Sequence, residues 1–403
     1  MEIEKVSSDA AQNIQPARII ETDDPTAQPK PGIALCLSGG GYRAMLFHLG
    51  ALWRLNEVGL LKSLIRVSSV SGGSITAGML GLMWKKLQFD SSNTASNLSE
   101  LVIDPIRRLA NVTVDQGAIL WGILLPRKTI ADEVAQAYRE HLFGSATLQD
   151  LPSDNEGPRF VINATNVQTT VLWRFSKPFM GDYRVGLIRN PQLDLAIAVA
   201  ASSAFPPFLS PVSLKLNPTA FDPTTKGDLQ VEPYTSDVIL TDGGVYDNLG
   251  LETAWKAYET ILVSDGGGGG SDEPKPKREW LEHVYRVLNL LDSQVRSLRK
   301  RQVIGSYQLG LRKGRTGESA FGSAGFRKSP VGMIGVLILR ENYSDHSVVD
   351  RVTGRYPNIS SFKGCAAGEI LGISHSVPCA TVGYTLRADY FGHKLPTRKN
   401  RAA

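Results

Sequence analysis

Residues 67–74 read Val-Ser-Ser-Val-Ser-Gly-Gly-Ser, and within them Ser71, followed by two glycines, is the group best placed to act as a nucleophile. The stretch 63–67 upstream has the composition of a strand, and the apolar stretch 75–84 downstream that of a helix. A serine between them can occupy a sharp strand-to-helix turn. Its hydroxyl is then exposed, and the next backbone N–H and the helix N-terminus face any negative charge that develops. Small residues must flank such a turn, and Ser69 and Gly73 do so here. The pattern is therefore S-x-S-x-G where a nucleophile elbow has G-x-S-x-G. Taken alone, the segment fits a small-residue turn without chemistry equally well. Ser74 fits the elbow less well, having Thr76 two places on, and Ser68 and Ser69 lack following glycines.

Two further segments supply the other parts of an acyl-transfer site. Residues 33–37 form a buried-strand pattern that runs into Ser38-Gly39-Gly40-Gly41-Tyr42-Arg43-Ala44. Three successive glycines leave N–H groups unobstructed, which suits an oxyanion hole, and Arg43 adds a nearby cation for an anionic ligand. The glycines match neither G-x-G-x-x-G nor a loop ending in G-K-[ST], so dinucleotide and nucleoside-triphosphate sites are disfavoured. Farther on, the strand pattern 238–240 leads into Thr241-Asp242-Gly243-Gly244-Val245-Tyr246-Asp247-Asn248. At that strand end Asp242 could accept the serine proton, although Asp-Gly is also a common turn dipeptide. Asp247 is the lesser rival, lying beyond the glycine turn.

In this order the three segments resemble the patatin-like phospholipases. That family carries a G-G-G-x-R-G/A oxyanion loop, a G-x-S-x-G elbow and a D-G-G/A aspartate, which together make a Ser-Asp dyad without histidine. Carried over position by position, Gly39, Gly40, Gly41 and Arg43 match the loop, joined by the N–H of Gly72. Ser71 matches the nucleophile and Asp242 the base. Residues 200–208 are similar to the family's A-x-x-A-x-P-x-x-F-P block. The resemblance spans roughly residues 31–265. It implies a three-layer α/β/α sandwich with a mostly parallel central sheet. It also implies hydrolysis of fatty-acyl esters of membrane phospholipids, of phospholipase A or lysophospholipase type, with no cofactor and no metal.

These residues need elements to hold them, and the chain provides an alternation. Strand patterns at 33–37, 64–70, 160–164, 238–240 and 261–264 are separated by helix patterns near 44–58, 74–87, 191–202 and 250–258. Such alternation predicts an α/β sheet with helices on both faces and sites just beyond strand ends. Residues 1–30 are polar and read as a mobile tail, and residues 31–403 read as one domain, with a motif core at 31–265 and an extension at 266–403. Residues 101–150 read as a mixed helical insertion over the site. The run Gly266 to Gly270 reads as a flexible loop.

Composition narrows the class further. The chain has 403 residues, 42% of them hydrophobic, enough for a substantial core. No apolar stretch approaches a membrane span, and the N-terminus lacks a secretory pattern. Cys36, Cys365 and Cys379 cannot all pair, which fits a reducing compartment. The expected location is therefore cytoplasmic, with peripheral contact at the inner face of a membrane. Between residues 275 and 328 stand thirteen Lys or Arg and four Asp or Glu, a local net charge of +9 against +5 for the whole chain. That stretch reads either as a solvated basic helix or as a site attracting anionic headgroups or a nucleotide effector. Nucleic acid is disfavoured, because no recognised module accompanies the charge. Two rivals follow. One is a Ser-His-Asp triad using His283, His346, His375 or His393, with His48 and His141 placed before the acid. The other is an effector-regulated or non-catalytic lipid-binding interaction protein on the same fold. Oligomeric state is not legible.

Overall fold

The computed structural model describes residues 30–111, 130–207, 209–255, 257–267, 273–308 and 335–340. The expected tail, Cys365, Cys379, His346, His375, His393, most of the five-glycine run and the basic residues from Arg312 to Lys328 lie outside the described residues.

A mixed sheet runs through the molecule. Its parallel centre consists of β9 (Tyr258–Asp265), β1 (Lys30–Leu37), β2 (Leu64–Val70) and β3 (Arg159–Asn166), in that spatial order. Antiparallel strands extend it on both sides. β10 (Gly335–Arg340) lies beside β9, while β4 (Val171–Phe175), β5 (Phe179–Asp182) and β6 (Gly186–Arg189) continue past β3. β7 (Val212–Lys215) pairs with β8 (Asp237–Asp242), and β8 pairs with β3.

Period-two alternation divides the core between the two faces of the sheet. Leu35, Leu37, Val67, Phe160 and Ile162 point into the larger core, and Ala34, Cys36, Ile261 and Val263 into the smaller. The larger core takes α1 (Gly41–Glu57), α2 (Gly72–Met83), α3 (Asp104–Asn111), α4 (Ile130–Tyr138) and α5 (Leu195–Ser202). Apolar all round, α5 is buried nearly throughout, as such a helix must be. The smaller core is closed by Leu249, Leu251 and Ala254. A helix was expected near 250–258, but residues 252–255 form successive turns and β9 already begins at Tyr258. Buried Leu251, Ala254 and Tyr258 need only one side of that segment covered, and turns satisfy this. Past β9 comes α6 (Trp280–Gln308). No helix among the described residues is long and apolar enough to cross a membrane.

The pairing on β3 is what positions the site. Val70, the last residue of β2, is level with Asn163, and Asp242, the last residue of β8, is level with Ala164. β2 runs parallel to β3 and β8 runs antiparallel to it, so their C-terminal ends meet head-on along one edge at consecutive positions. Phe160 anchors this strand, 2% exposed and edge-on to Trp84 with ring centroids 6.1 Å apart. Phe160→Ala should lower unfolding stability by about 3–5 kcal/mol, read as a lower urea midpoint with little change in slope.

Candidate active site

Ser71 sits between β2 and α2 with φ 52° and ψ −123°. A non-glycine residue rarely adopts positive φ, and holding it there costs about 1–3 kcal/mol, so the surrounding structure must impose it. The imposing contacts are visible. The Ser71 N–H donates to the Ser202 hydroxyl at 2.9 Å, and that hydroxyl donates to the Asn163 carbonyl at 2.6 Å. The end of α5 therefore straps the turn to β3. Close approach does the rest, since a β-carbon on Gly72 would stand 2.1 Å from the Gly41 carbonyl oxygen. Only glycine lets the elbow lie against the glycine loop.

The departure at Ser69 is absorbed by hydrogen bonding. Its hydroxyl donates to the Val161 carbonyl at 3.3 Å and accepts from Ser74 at 3.0 Å. Ser74 is fully buried, and its hydroxyl is also 2.9 Å from that of Ser202. Ser68 is tied to Asn163 and Thr253. Of the four serines, Ser71 alone carries the positive φ, at 7% exposure.

Asp242 is 2% exposed. Its Oδ1 accepts the Gly244 N–H at 2.7 Å, and Oδ2 is buried with no hydrogen-bond partner among the described residues. Burial raises its pKa from the ordinary 3.8 to about 7, and Asp292 adds a like charge in the same direction. The Gly244 N–H and the Ser71 hydroxyl oppose this by favouring the carboxylate. That hydroxyl therefore lies close to the carboxyl group without closing a bond to Oδ2. Asp247 is different: its carboxylate accepts the N–H groups of Leu249 at 3.2 Å and Glu252 at 2.7 Å, and so shapes a turn.

The glycine loop leads from β1 into α1, with Gly40 at φ 136°. One expectation changes here. The Gly39 N–H donates to the Asn248 carbonyl at 2.9 Å, so it is not free to meet an oxyanion. Gly39 instead allows contact, because a β-carbon there would fall 2.2 Å from Asn248 Oδ1 and 3.2 Å from Ser71 Cβ. The N–H groups of Gly40, Gly41 and Gly72 make no hydrogen bond within the described residues and remain as donors. Arg43, in the first turn of α1, is exposed; partial burial and then the neighbouring Arg296 lower its pKa.

Among the described residues no histidine joins this arrangement. His48 is fully buried on α1, with Nδ1 2.7 Å from the Ser264 hydroxyl and Nε2 2.8 Å from the Ser38 carbonyl. Burial drives its pKa down to about 4, so it is a neutral strap beneath the loop. His141 and His283 are exposed on other elements. No group of three or more His, Cys, Asp or Glu among the described residues could hold a metal ion. Sequence reading missed Ser202 and Asn248 as supports. Ser202 lay inside the block 200–208 already singled out, and Asn248 closed the D-G-G segment.

The family model for the patatin-like phospholipases matches residues 35–255. The chain belongs to that family. Its matched span contains both strand ends that meet on β3, together with the glycine loop. No curated protein matches the chain at a comparable level. Among solved structures it is similar to human GIVD cytosolic phospholipase A2, at 15% identity and a TM-score of 0.35, over 57% of this chain and 44% of that one. It is also similar to VipD from Legionella pneumophila, at 20% identity and a TM-score of 0.27, over 55% and 47%. ExoU from Pseudomonas aeruginosa, in complex with SpcU, aligns at 22% identity and a TM-score of 0.22, over 45% and 39%. The chain thus spans less than half of each of these proteins, and likenesses so loose add nothing to the family match.

The raised pKa of Asp242 has a consequence for stability. A carboxyl group whose folded pKa lies above its unfolded value contributes stability that is complete below about pH 4 and is lost as pH rises through about 7. Asp242→Asn removes that loss. The variant should gain thermal stability over the wild type on going from pH 5 to pH 8, with a ceiling of about 3 kcal/mol, since only the roughly two pH units from 5 to 7 contribute. An equal difference at both pH values in calorimetry would contradict the burial argument.

Proposed function

We propose that this patatin-like chain is a serine acyl hydrolase that cleaves fatty-acyl esters of membrane phospholipids through a Ser71–Asp242 dyad. The observation that carries the reading is the meeting of a strained serine with a buried, half-partnered carboxylate at consecutive positions on β3. Asp242 takes the Ser71 hydroxyl proton as Oγ attacks the acyl carbonyl. Negative charge then collects on the carbonyl oxygen, which the N–H groups of Gly40, Gly41 and Gly72 stabilise at the N-termini of α1 and α2. Collapse of the tetrahedral intermediate expels the lysolipid oxygen, which recovers the proton from Asp242. Water, deprotonated by the same carboxylate, attacks the acyl-serine and frees the fatty acid and the serine.

An unperturbed aspartate is a weak base toward serine, and the raised pKa of Asp242 brings it toward working pH. This reading places the enzyme at the cytoplasmic surface of a membrane, needing no metal or cofactor. An effector-controlled or non-catalytic lipid-binding protein is the second reading, and one experiment separates the two. A fluorophosphonate probe should label Ser71 in the folded wild type. Ser71→Ala and Asp242→Asn should each lower ester turnover about a thousandfold or more, while His48→Gln, if folded, should not. In the wild type kcat/KM should rise about tenfold per pH unit below pH 7 and level off above it. Folded protein that resists labelling would favour the binding protein instead.

A further inference from the structure

Helix α6 presents an apolar face that nothing in the site chemistry uses. Trp280 is 72% exposed, and Val284, Val287, Leu291 and Leu298 are 40%, 38%, 57% and 58% exposed. Their spacing of three, four and seven residues sets them on one side of a helix. Single exposed apolar residues need no explanation, but a continuous exposed stripe does.

The opposite side of α6 lies on the loops that build the site. Asp292 Oδ1 accepts from the Asn248 side-chain amide at 2.7 Å. Arg296 and Lys300 pair with Asp265 at the end of β9, and Arg299 pairs with Glu252 at 2.9 Å. Tyr285 packs edge-on to Phe205, just past α5, with centroids 6.3 Å apart. The helical turn Gly244–Asp247, which follows Asp242 directly, lies against α6 and adds Val245, 48% exposed. The outward stripe therefore crosses the same side of the molecule as the candidate site.

Charge decides among occupants. The inward cations Arg296, Arg299 and Lys300 are matched by Asp265 and Glu252. The exposed flanks carry Lys275, Lys277 and Arg278 immediately before Trp280, and Arg301 at the far end. Against them stand Glu273, which pairs with Arg286, and Glu279 and Glu282, the last paired with Lys277, leaving the cations in excess by two once Arg286 is counted. An exposed tryptophan leading an apolar helical stripe, with an excess of cations at its ends, suits the boundary of an anionic bilayer: the ring and aliphatic side chains enter the headgroup region and the cations meet lipid phosphate. A second copy would instead bring two cationic flanks together.

We propose that the outward face of α6, from Trp280 to Leu298, seats the protein on an anionic lipid surface and sets the site against it. The proposal rests on the lipid-hydrolase reading for its purpose, but its test does not depend on hydrolysis. Full-length Ser71→Ala protein is co-sedimented with vesicles of phosphatidylglycerol and phosphatidylcholine, with and without the triple change Trp280→Gln, Val284→Gln and Leu291→Gln. Partitioning should fall at least tenfold in the triple variant, and in the parent it should weaken as phosphatidylglycerol is replaced by phosphatidylcholine. With Ser71 restored, the triple variant should hydrolyse a short soluble ester within twofold of the wild type. Brominated phosphatidylglycerol should quench part of the parent's fluorescence, and that part should vanish in Trp280→Phe, a single change that spares the fold. Unchanged partitioning with Trp280 unquenched would overturn the proposal, as would an oligomer that dissociates only in the triple variant, which would give the face to a second copy. A wild type inert toward soluble esters would sink the hydrolase reading and leave the docking result standing.

Discussion

A carboxyl group buried at a strand end governs how the candidate site is built. Asp242 is buried at the end of β8, where its Oδ1 accepts the Gly244 N–H while Oδ2 has no partner among the described residues, and its pKa rises to about 7. Two or three donors would hold it in the usual carboxylate range and leave it a poor base; complete isolation would keep it protonated. The intermediate condition requires a partner that approaches without saturating the group. The Ser71 hydroxyl fills that part, because the reversed direction of β8 brings its end against the end of β2 along one edge of β3.

That convergence makes β3 the common reference for Ser71 and Asp242. Val70 pairs with Asn163 and Asp242 with Ala164, so a one-residue slip of either strand would move Ser71 or Asp242 along the edge and turn its neighbours to the opposite face. The register is locked twice at the same place. The Asn163 carbonyl accepts from Ser202, which in turn holds the Ser71 N–H, and the Asn163 amide donates to the Ser69 carbonyl at 2.9 Å. The positive φ of Ser71 is sustained by these bonds and by the absence of a side chain at Gly72.

Ser71 and Asp242 stand out in the amino-acid order because each sits at a strand end, where apolar pattern gives way abruptly to glycine. β2 was read at its observed bounds for the same reason. Strands β4 to β6 escaped notice because they are short and joined by tight antiparallel turns, which leave little period to count. The segment after Gly250 misled because leucine and alanine at helical spacing also serve a buried turn. Ser202 and Asn248 were hidden for a different reason. Each supports the site across more than a hundred residues of chain, or from a position already credited to a motif, and side-chain reach of that kind leaves no local pattern. The committed Gly39 N–H was hidden too, since three adjacent glycines look alike until one of them finds a partner.

Asn248 links the chemistry to the outside of the molecule. Its carbonyl holds the Gly39 N–H, its side-chain oxygen occupies the space that a β-carbon on Gly39 would need, and its amide donates to Asp292 on α6. Burial raises the pKa of Asp292, and its charge in turn raises that of Asp242. A displacement of α6 would therefore act on the glycine loop through hydrogen bonds and on Asp242 through charge. The ion pairs of Arg296 and Lys300 with Asp265 resist such a displacement from the far side of the loop. The helix with the most exposed apolar surface is thus also held to the parts of the site that would feel its movement.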